Sequence, residues 1–162
     1  MEVIRYEAAL LRVLLQLDVF DTTLQETNLW LKDLMDYLCT DDKREAYRAL
    51  RATLHALRDR IGPENAVHLG AQLPMLVRGL YYDGWKMDPE PTRERHKQDF
   101  LDHVQREARA PLDSDTEAAV RAVFKVLRDK LDPAETAKIA VLFPVELRNL
   151  WPIRQGSNPR HV

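Results

Sequence analysis

The chain has 162 residues, enough for one ordinary domain or for two small units that would each be marginal alone. It is 45% hydrophobic and 31% charged with five glycines, which excludes a disordered chain and favours a helical one. The net charge of −2 exerts no global pull on nucleic acid or anionic membrane, and the single cysteine, Cys39, excludes an internal disulfide scaffold and suits a reducing cytoplasm.

The first element is read over residues 1–18, where Tyr6, Leu10, Val13, Leu14 and Leu17 recur at helical spacing. Arg12 interrupts the apolar run and no small-residue cleavage site follows, so it reads as an amphipathic helix and not as a signal peptide. It is also too short to span a bilayer. Its stripe has to be buried against the core or against a second chain.

A second helix carries Leu24, Leu31, Leu34 and Leu38, with Cys39 as a small packing residue near its end. The next places Tyr47, Leu50, Leu54, Leu57 and Ile61 on one face, and Asp42 with Glu45 three residues on has the spacing of a capping box at its start. Gly62-Pro63 opens a third helix of the unit, because proline at the first helical position loses no hydrogen bond. That helix ends before Pro74, and a short fourth one carries Leu76, Val77 and Leu80.

The same plan then recurs. Residues 30–81 align without a gap with residues 100–151 at a constant offset of 70. Between 49–81 and 119–151 the copies share ten of 33 positions, among them Arg58/Arg128, Asp59/Asp129, Pro63/Pro133, Pro74/Pro144 and Arg78/Arg148. Roughly two would coincide by chance, so the chain contains a duplicated structural unit. In the second copy Phe100 answers Trp30, and Val120, Phe124, Leu127 and Leu131 form the core helix face. Ser114 with Glu117 marks that helix start, and Asp132-Pro133 the next. The expected fold is therefore all-α, a helical bundle of two tandem four-helix repeats (residues 19–85 and 97–152) sharing a core. A linker at 86–96 joins them, the helix at 1–18 precedes them, and a flexible tail at 153–162 follows.

Few residues carry chemistry. Arg44, Arg48, Arg51, His55 and Arg58 form a basic stripe that has the spacing to track phosphates, but the second copy keeps only Arg121, Lys125 and Arg128. The stripe is read as a solvated or ion-paired rim, and nucleic acid is not an expected partner. His96, Asp99 and His103 share a predicted helix face, yet neither HExxH nor paired ExxH occurs, so Asp99 and His103 are read as an exposed pair and no metal ligand is assigned. Cys39 has no adjacent histidine, and no GxSxG or glycine-rich loop is present, so no catalytic or cofactor-binding residue is assigned. Asp59 and Asp129, each following an arginine, recur symmetrically and suggest a shared structural role. The aromatic turn at Tyr81-Tyr82-Asp83-Gly84-Trp85 breaks the symmetry. Tyr81 is expected to plug the seam between the copies, as is Trp151, whereas Tyr82 and Trp85, with Arg44, Arg48 and Arg51, are the candidates for a partner contact.

Several of these segments also carry a family resemblance: Val19-Phe20-Asp21-Thr22-Thr23-Leu24-Gln25-Glu26-Thr27-Asn28, Tyr47-Arg48-Ala49-Leu50-Arg51-Ala52, Gly70-Ala71-Gln72-Leu73-Pro74-Met75-Leu76-Val77-Arg78-Gly79, the aromatic turn, and Glu146-Leu147-Arg148-Asn149-Leu150-Trp151. Together they resemble the domain of unknown function 2267 over about residues 19–152. The resemblance implies an all-helical bacterial protein and supplies no activity, substrate or catalytic residue. Residues 1–18 lie outside it. The functional expectation is a non-enzymatic, cytoplasmic protein-interaction or self-association module, with a protein partner or a homo-oligomer. The alternative is a small-molecule or metal-binding helical protein with its site between the two repeats.

Overall fold

Prolines and capping residues divide the chain into helices whose apolar stripes then have to be covered. The computed structural model describes residues 2–15 and 18–152, which form α1 (Glu2–Leu15), α2 (Asp18–Leu38), α3 (Lys43–Ile61), α4 (Pro63–Gln72), α5 (Met75–Tyr82), α6 (Lys97–Glu107), α7 (Thr116–Lys130), α8 (Pro133–Leu142) and the single turn α9 (Val145–Arg148). The fold is all-α, with α2–α5 and α6–α9 as tandem four-helix groups behind an N-terminal helix. No described helix is long and apolar enough to cross a membrane. Leu17 and the tail at 153–162 lie outside the described residues, as do the side chains of Val13 and Leu14.

One apolar cluster serves both copies. Leu34, Leu50, Leu54 and Leu57 from the first are continuous with Phe100, Val120, Phe124 and Leu127 from the second. The arrangement is an exchange, in which α3 lies along α6, α2 lies along α7, and α3 meets α7 between them. The first helix of each copy thus packs on the core helix of the other. At the far end of the second copy Phe100, Phe124, Phe143 and Trp151 form an aromatic group, with Trp151 4.7 Å from Phe124 between ring centroids. Tyr81 is fully buried as expected, and its hydroxyl donates to Ala66 O at 2.8 Å.

The helix starts follow local chemistry, with two departures. Asp42 caps α3 by accepting from Arg44 N, and Asp132 caps α8 by accepting from Ala134 N. Glu45, however, does not turn back to complete a capping box. Its buried carboxylate crosses to the other copy and accepts from Asp113 N at 3.0 Å, Ser114 N at 3.2 Å and Ser114 Oγ at 2.9 Å. Ser114 is therefore occupied, and Asp115 caps α7 through Ala118 N. Three further expectations are corrected. Tyr47 and Leu24 are largely exposed, and Cys39 is exposed with φ 51°, in the left-handed conformation that ends α2.

The N-terminal helix is the least covered element. Val3, Ile4, Tyr6 and Leu10 of α1 are 61–75% exposed, and the apolar surface continues over Val19, Phe20 and Leu24 of α2.

The Glu45 tether makes a stability prediction. Glu45→Ala leaves three donors of the 113–114 turn without their acceptor, at a cost of about 2 kcal/mol, or roughly 4–8 °C in Tm for a chain of this size. Glu45→Gln, which keeps one acceptor oxygen, is expected to lose less. Thermal unfolding followed by circular dichroism checks both, and equal Tm values for Glu45→Ala and the unmodified protein would contradict the tether.

Candidate metal centre

The α3–α6 contact brings polar side chains of the two copies together at the end of α3. His55 and Asp59 stand one turn apart on α3, and His103 and Glu107 one turn apart on α6. A fifth group arrives from the connection between the copies. Thr92 N donates to Asp59 O at 3.0 Å and Arg60 Nε donates to Glu94 O at 3.3 Å, so the strand of linker at 92–94 is strapped across the end of α3. Gly62 turns the chain beside this strap, its backbone at φ 81° and ψ 159° in a region open essentially to glycine, with Pro91 next to it.

The centre is His103, which is only 6% exposed. Its Nδ1 lies 2.7 Å from Glu94 Oε1, and its Nε2 faces Asp59 Oδ2 at 3.5 Å and Glu107 Oε1 at 3.9 Å. Asp59 is oriented by Arg58, whose Nε donates to Oδ1 at 2.9 Å and leaves Oδ2 for the histidine. Arg58 itself is buried and donates through Nη1 to Tyr81 O at 2.8 Å. One donor atom from each of Asp59, His103 and Glu107 can be chosen so that all three lie within 4.8 Å of one another, the spacing of groups that hold one metal ion. His55 stands next to this trio, with Nδ1 3.2 Å from Glu107 Oε2 and Nε2 2.7 Å from Leu80 O.

Burial and charge pull the two histidines apart. For His103 burial lowers the pKa, but hydrogen bonds and charge from Asp59 and Glu94 prevail, and it is pushed up to about 9. For His55 burial dominates and, with the nearby Arg58 and Arg51 charges, lowers the pKa below the usual value. Asp59 and Glu94 are both held below the usual carboxylate range. In each case burial opposes this and hydrogen bonds prevail, from His103 to both and from Arg58 to Asp59. A cleft of about 180 Å³ lined by Arg58, Asp59, Trp85, Lys86 and Thr92 opens beside the cluster and gives Asp59 a solvent-facing side.

The residues singled out from sequence are placed as follows. His96 is exposed and pairs with Glu146 at 3.3 Å, and Asp99 is exposed, so neither joins His103, which is buried and not part of an exposed pair. Much of the basic stripe is engaged within the chain. Arg48 donates to the carbonyls of Ala110 and Pro111, and Arg51 donates to Glu107 O at 3.2 Å and pairs with Asp83 at 3.6 Å. Arg44 is exposed. Tyr82 is half-buried and stacks on Trp85 at 5.6 Å, while Trp85 lies under Arg58 at 5.8 Å and walls the cleft. Asp59, Glu94 and Glu107 were not assigned from sequence. A signal existed for Asp59 and Glu107, because His55-x-x-x-Asp59 and His103-x-x-x-Glu107 are both histidine–carboxylate pairs at four-residue spacing. Glu94 lies in a linker without periodicity and offered none.

Taken as a class, this is a tandem-repeat helical protein with a histidine–carboxylate cluster at the seam between its repeats. The model of a family described as "Uncharacterized conserved protein (DUF2267)" matches residues 27–150, and the chain belongs to that family. No curated protein matches the chain.

The titration of His103 gives a pH prediction for the metal-free protein. A histidine whose pKa is raised on folding stabilises the fold fully below its ordinary value of 6.5 and ceases to do so as pH rises through about 9. Denaturant titrations in the presence of a chelator are expected to lose on the order of 2 kcal/mol between pH 6.5 and 9. In His103→Gln that slope disappears, and an unchanged slope would contradict the placement of His103 between Glu94 and Asp59.

Proposed function

We propose that this protein binds a divalent transition-metal ion between its two repeats, with Asp59, His103 and Glu107 as ligands. The observation that carries the reading is the convergence of one imidazole and two carboxylates, from two different copies, within 4.8 Å. The surroundings fit a ligand set. Metal-bound histidines characteristically donate their second ring N–H to a carboxylate, and Glu94 accepts from His103 Nδ1 at 2.7 Å. Arg58 does the same orienting work for Asp59. An imidazole donor favours Zn²⁺, Fe²⁺ or Co²⁺ over Mg²⁺ or Ca²⁺, which prefer all-oxygen shells. Bound there, the ion ties α3 of one copy to α6 of the other and displaces the His103 proton, so affinity rises with pH.

The test is native mass spectrometry and calorimetric titration of chelator-treated protein with Zn²⁺. One ion per chain is expected, with affinity falling at least about 100-fold in Asp59→Asn and His103→Gln and about 10–100-fold in Glu94→Gln. Failure of the unmodified chain to retain Zn²⁺ at micromolar concentration, or binding unaltered in all three variants, would overturn the reading.

A second reading, self-association, is favoured by a separate observation, the exposed Val3, Ile4, Tyr6 and Leu10 of α1. The expected occupant is α1 of a second copy. Light scattering behind size exclusion is expected to give a dimer that Ile4→Glu with Leu10→Glu converts to monomer. A monomeric unmodified chain across the accessible concentration range would remove this reading.

A further inference from the structure

The two histidine–carboxylate pairs are alike in a way that the three-ligand description leaves unused. In each, one ring nitrogen is anchored and the other faces the Glu107 carboxylate. His103 is anchored through Nδ1 on Glu94 and presents Nε2 to Glu107 Oε1, whereas His55 is anchored through Nε2 on Leu80 O and presents Nδ1 to Glu107 Oε2. A backbone carbonyl only accepts, so the 2.7 Å contact to Leu80 O places the proton of a neutral His55 on Nε2. Nδ1 is then a lone pair 3.2 Å from a carboxylate oxygen. Two acceptors facing each other at that distance repel unless a proton or a metal ion lies between them.

We infer that His55 is a fourth ligand, through Nδ1, so that His55, Asp59, His103 and Glu107 form a closed four-coordinate site of two imidazoles and two carboxylates, suited to Zn²⁺ or an ion of its class. The inference rests on the metal reading above and deepens it. A tetrahedral ion with bonds of about 2.1 Å separates its ligands by about 3.4 Å, and three contacts along the set are 3.2, 3.5 and 3.9 Å, with Glu107 meeting His55 through Oε2 and His103 through Oε1. His55 touches the trio only through Glu107, so it enters the shell as that carboxylate draws in. The other copy places a different group at the equivalent position. At the offset of 70, His55 corresponds to Lys125 and Glu107 to Tyr37, and Lys125 Nζ lies 4.0 Å from the Tyr37 ring centroid. The equivalent location there holds a lysine against the partner side chain; the first copy has an imidazole.

Co²⁺ tests the assignment, because its visible bands report coordination number. The experiment uses the full chain in a Cys39→Ser background, since Cys39 is an exposed thiol that would bind the ion itself. The background protein is expected to give the intense visible bands of four-coordinate Co²⁺. His55→Gln is expected to bind about 10–100-fold more weakly and to show the weak bands of a more hydrated ion. His55→Cys is expected to restore the intense bands and add a near-ultraviolet thiolate-to-cobalt transition. Intense bands retained in His55→Gln together with no thiolate transition in His55→Cys would remove His55 and leave the three-ligand site standing. No Co²⁺ binding by the background protein would remove both.

Discussion

The structure depends on an exchange of apolar faces. The core helix α3 is covered by α6 from the other copy as well as by its own α2, and α7 is covered by α2 from the other copy as well as by its own α6. Leu50, Leu54, Leu57, Phe100, Phe124 and Leu127 are buried in one cluster that draws on both copies, so part of this apolar burial depends on their association. Polar consequences follow from this geometry. Once α3 and α6 are in register, Glu45 meets the turn before α7, Arg48 and Arg51 meet carbonyls at and just beyond the end of α6, and Asp59, His103 and Glu107 are left facing one another with His55 against Glu107.

The pseudo-symmetry of the exchange separates what is structural in the seam from what is particular to one side. Arg58–Asp59 and Arg128–Asp129 are equivalent pairs, each joined through the arginine Nε, at 2.9 and 3.0 Å. The symmetric aspartate is therefore a feature of the repeat, as its recurrence in sequence implies. Its surroundings differ. Asp129 accepts from Tyr37 at 2.5 Å, with Lys125 over the tyrosine ring and Lys130 paired to Asp33 at 2.6 Å, a set of contacts complete in itself. Asp59 instead faces His103 and Glu107, whose equivalents are Asp33 and Tyr37. The same aspartate is thus a candidate ligand in one copy and an internal contact in the other, because its neighbours differ.

The fold was legible because its determinants are local and periodic. Pro63, Pro133, Pro74 and Pro144 act on their own turns, the apolar stripes repeat every three or four residues, and the offset of 70 forces the second unit to follow the first. The failures have one physical cause. Glu45 and Ser114 have capping-box spacing, but a carboxylate crossing to the other copy satisfied three donors where the local box would have satisfied one. His103 shares a predicted helix face with His96 and Asp99, but these lie nearer the N-terminus of α6, whereas Asp59 meets α6 at the turn from His103 to Glu107. Which side of an amphipathic helix meets which neighbour is a tertiary fact, and Glu94 shows the limit: its role comes from Thr92 and Arg60 holding an aperiodic linker in place.

The charge balance of the cluster joins its structural and chemical aspects. Asp59, Glu94 and Glu107 bring three carboxylates to one partly buried place, where Arg58 holds the first and Arg60 approaches the second at 3.8 Å. One further positive charge is required for such a group to persist away from water, since an unpaired buried carboxylate is far costlier than a paired one. A proton on His103 supplies it in the metal-free chain, which is why the flanking carboxylates raise that pKa in spite of burial. In the proposed metal-bound form a divalent ion would supply it instead, with the same nitrogen as ligand and the same Glu94 contact retained on the other side of the ring. On that proposal proton and metal would compete for one position, and either occupant would add a positive charge at the contact between the two copies.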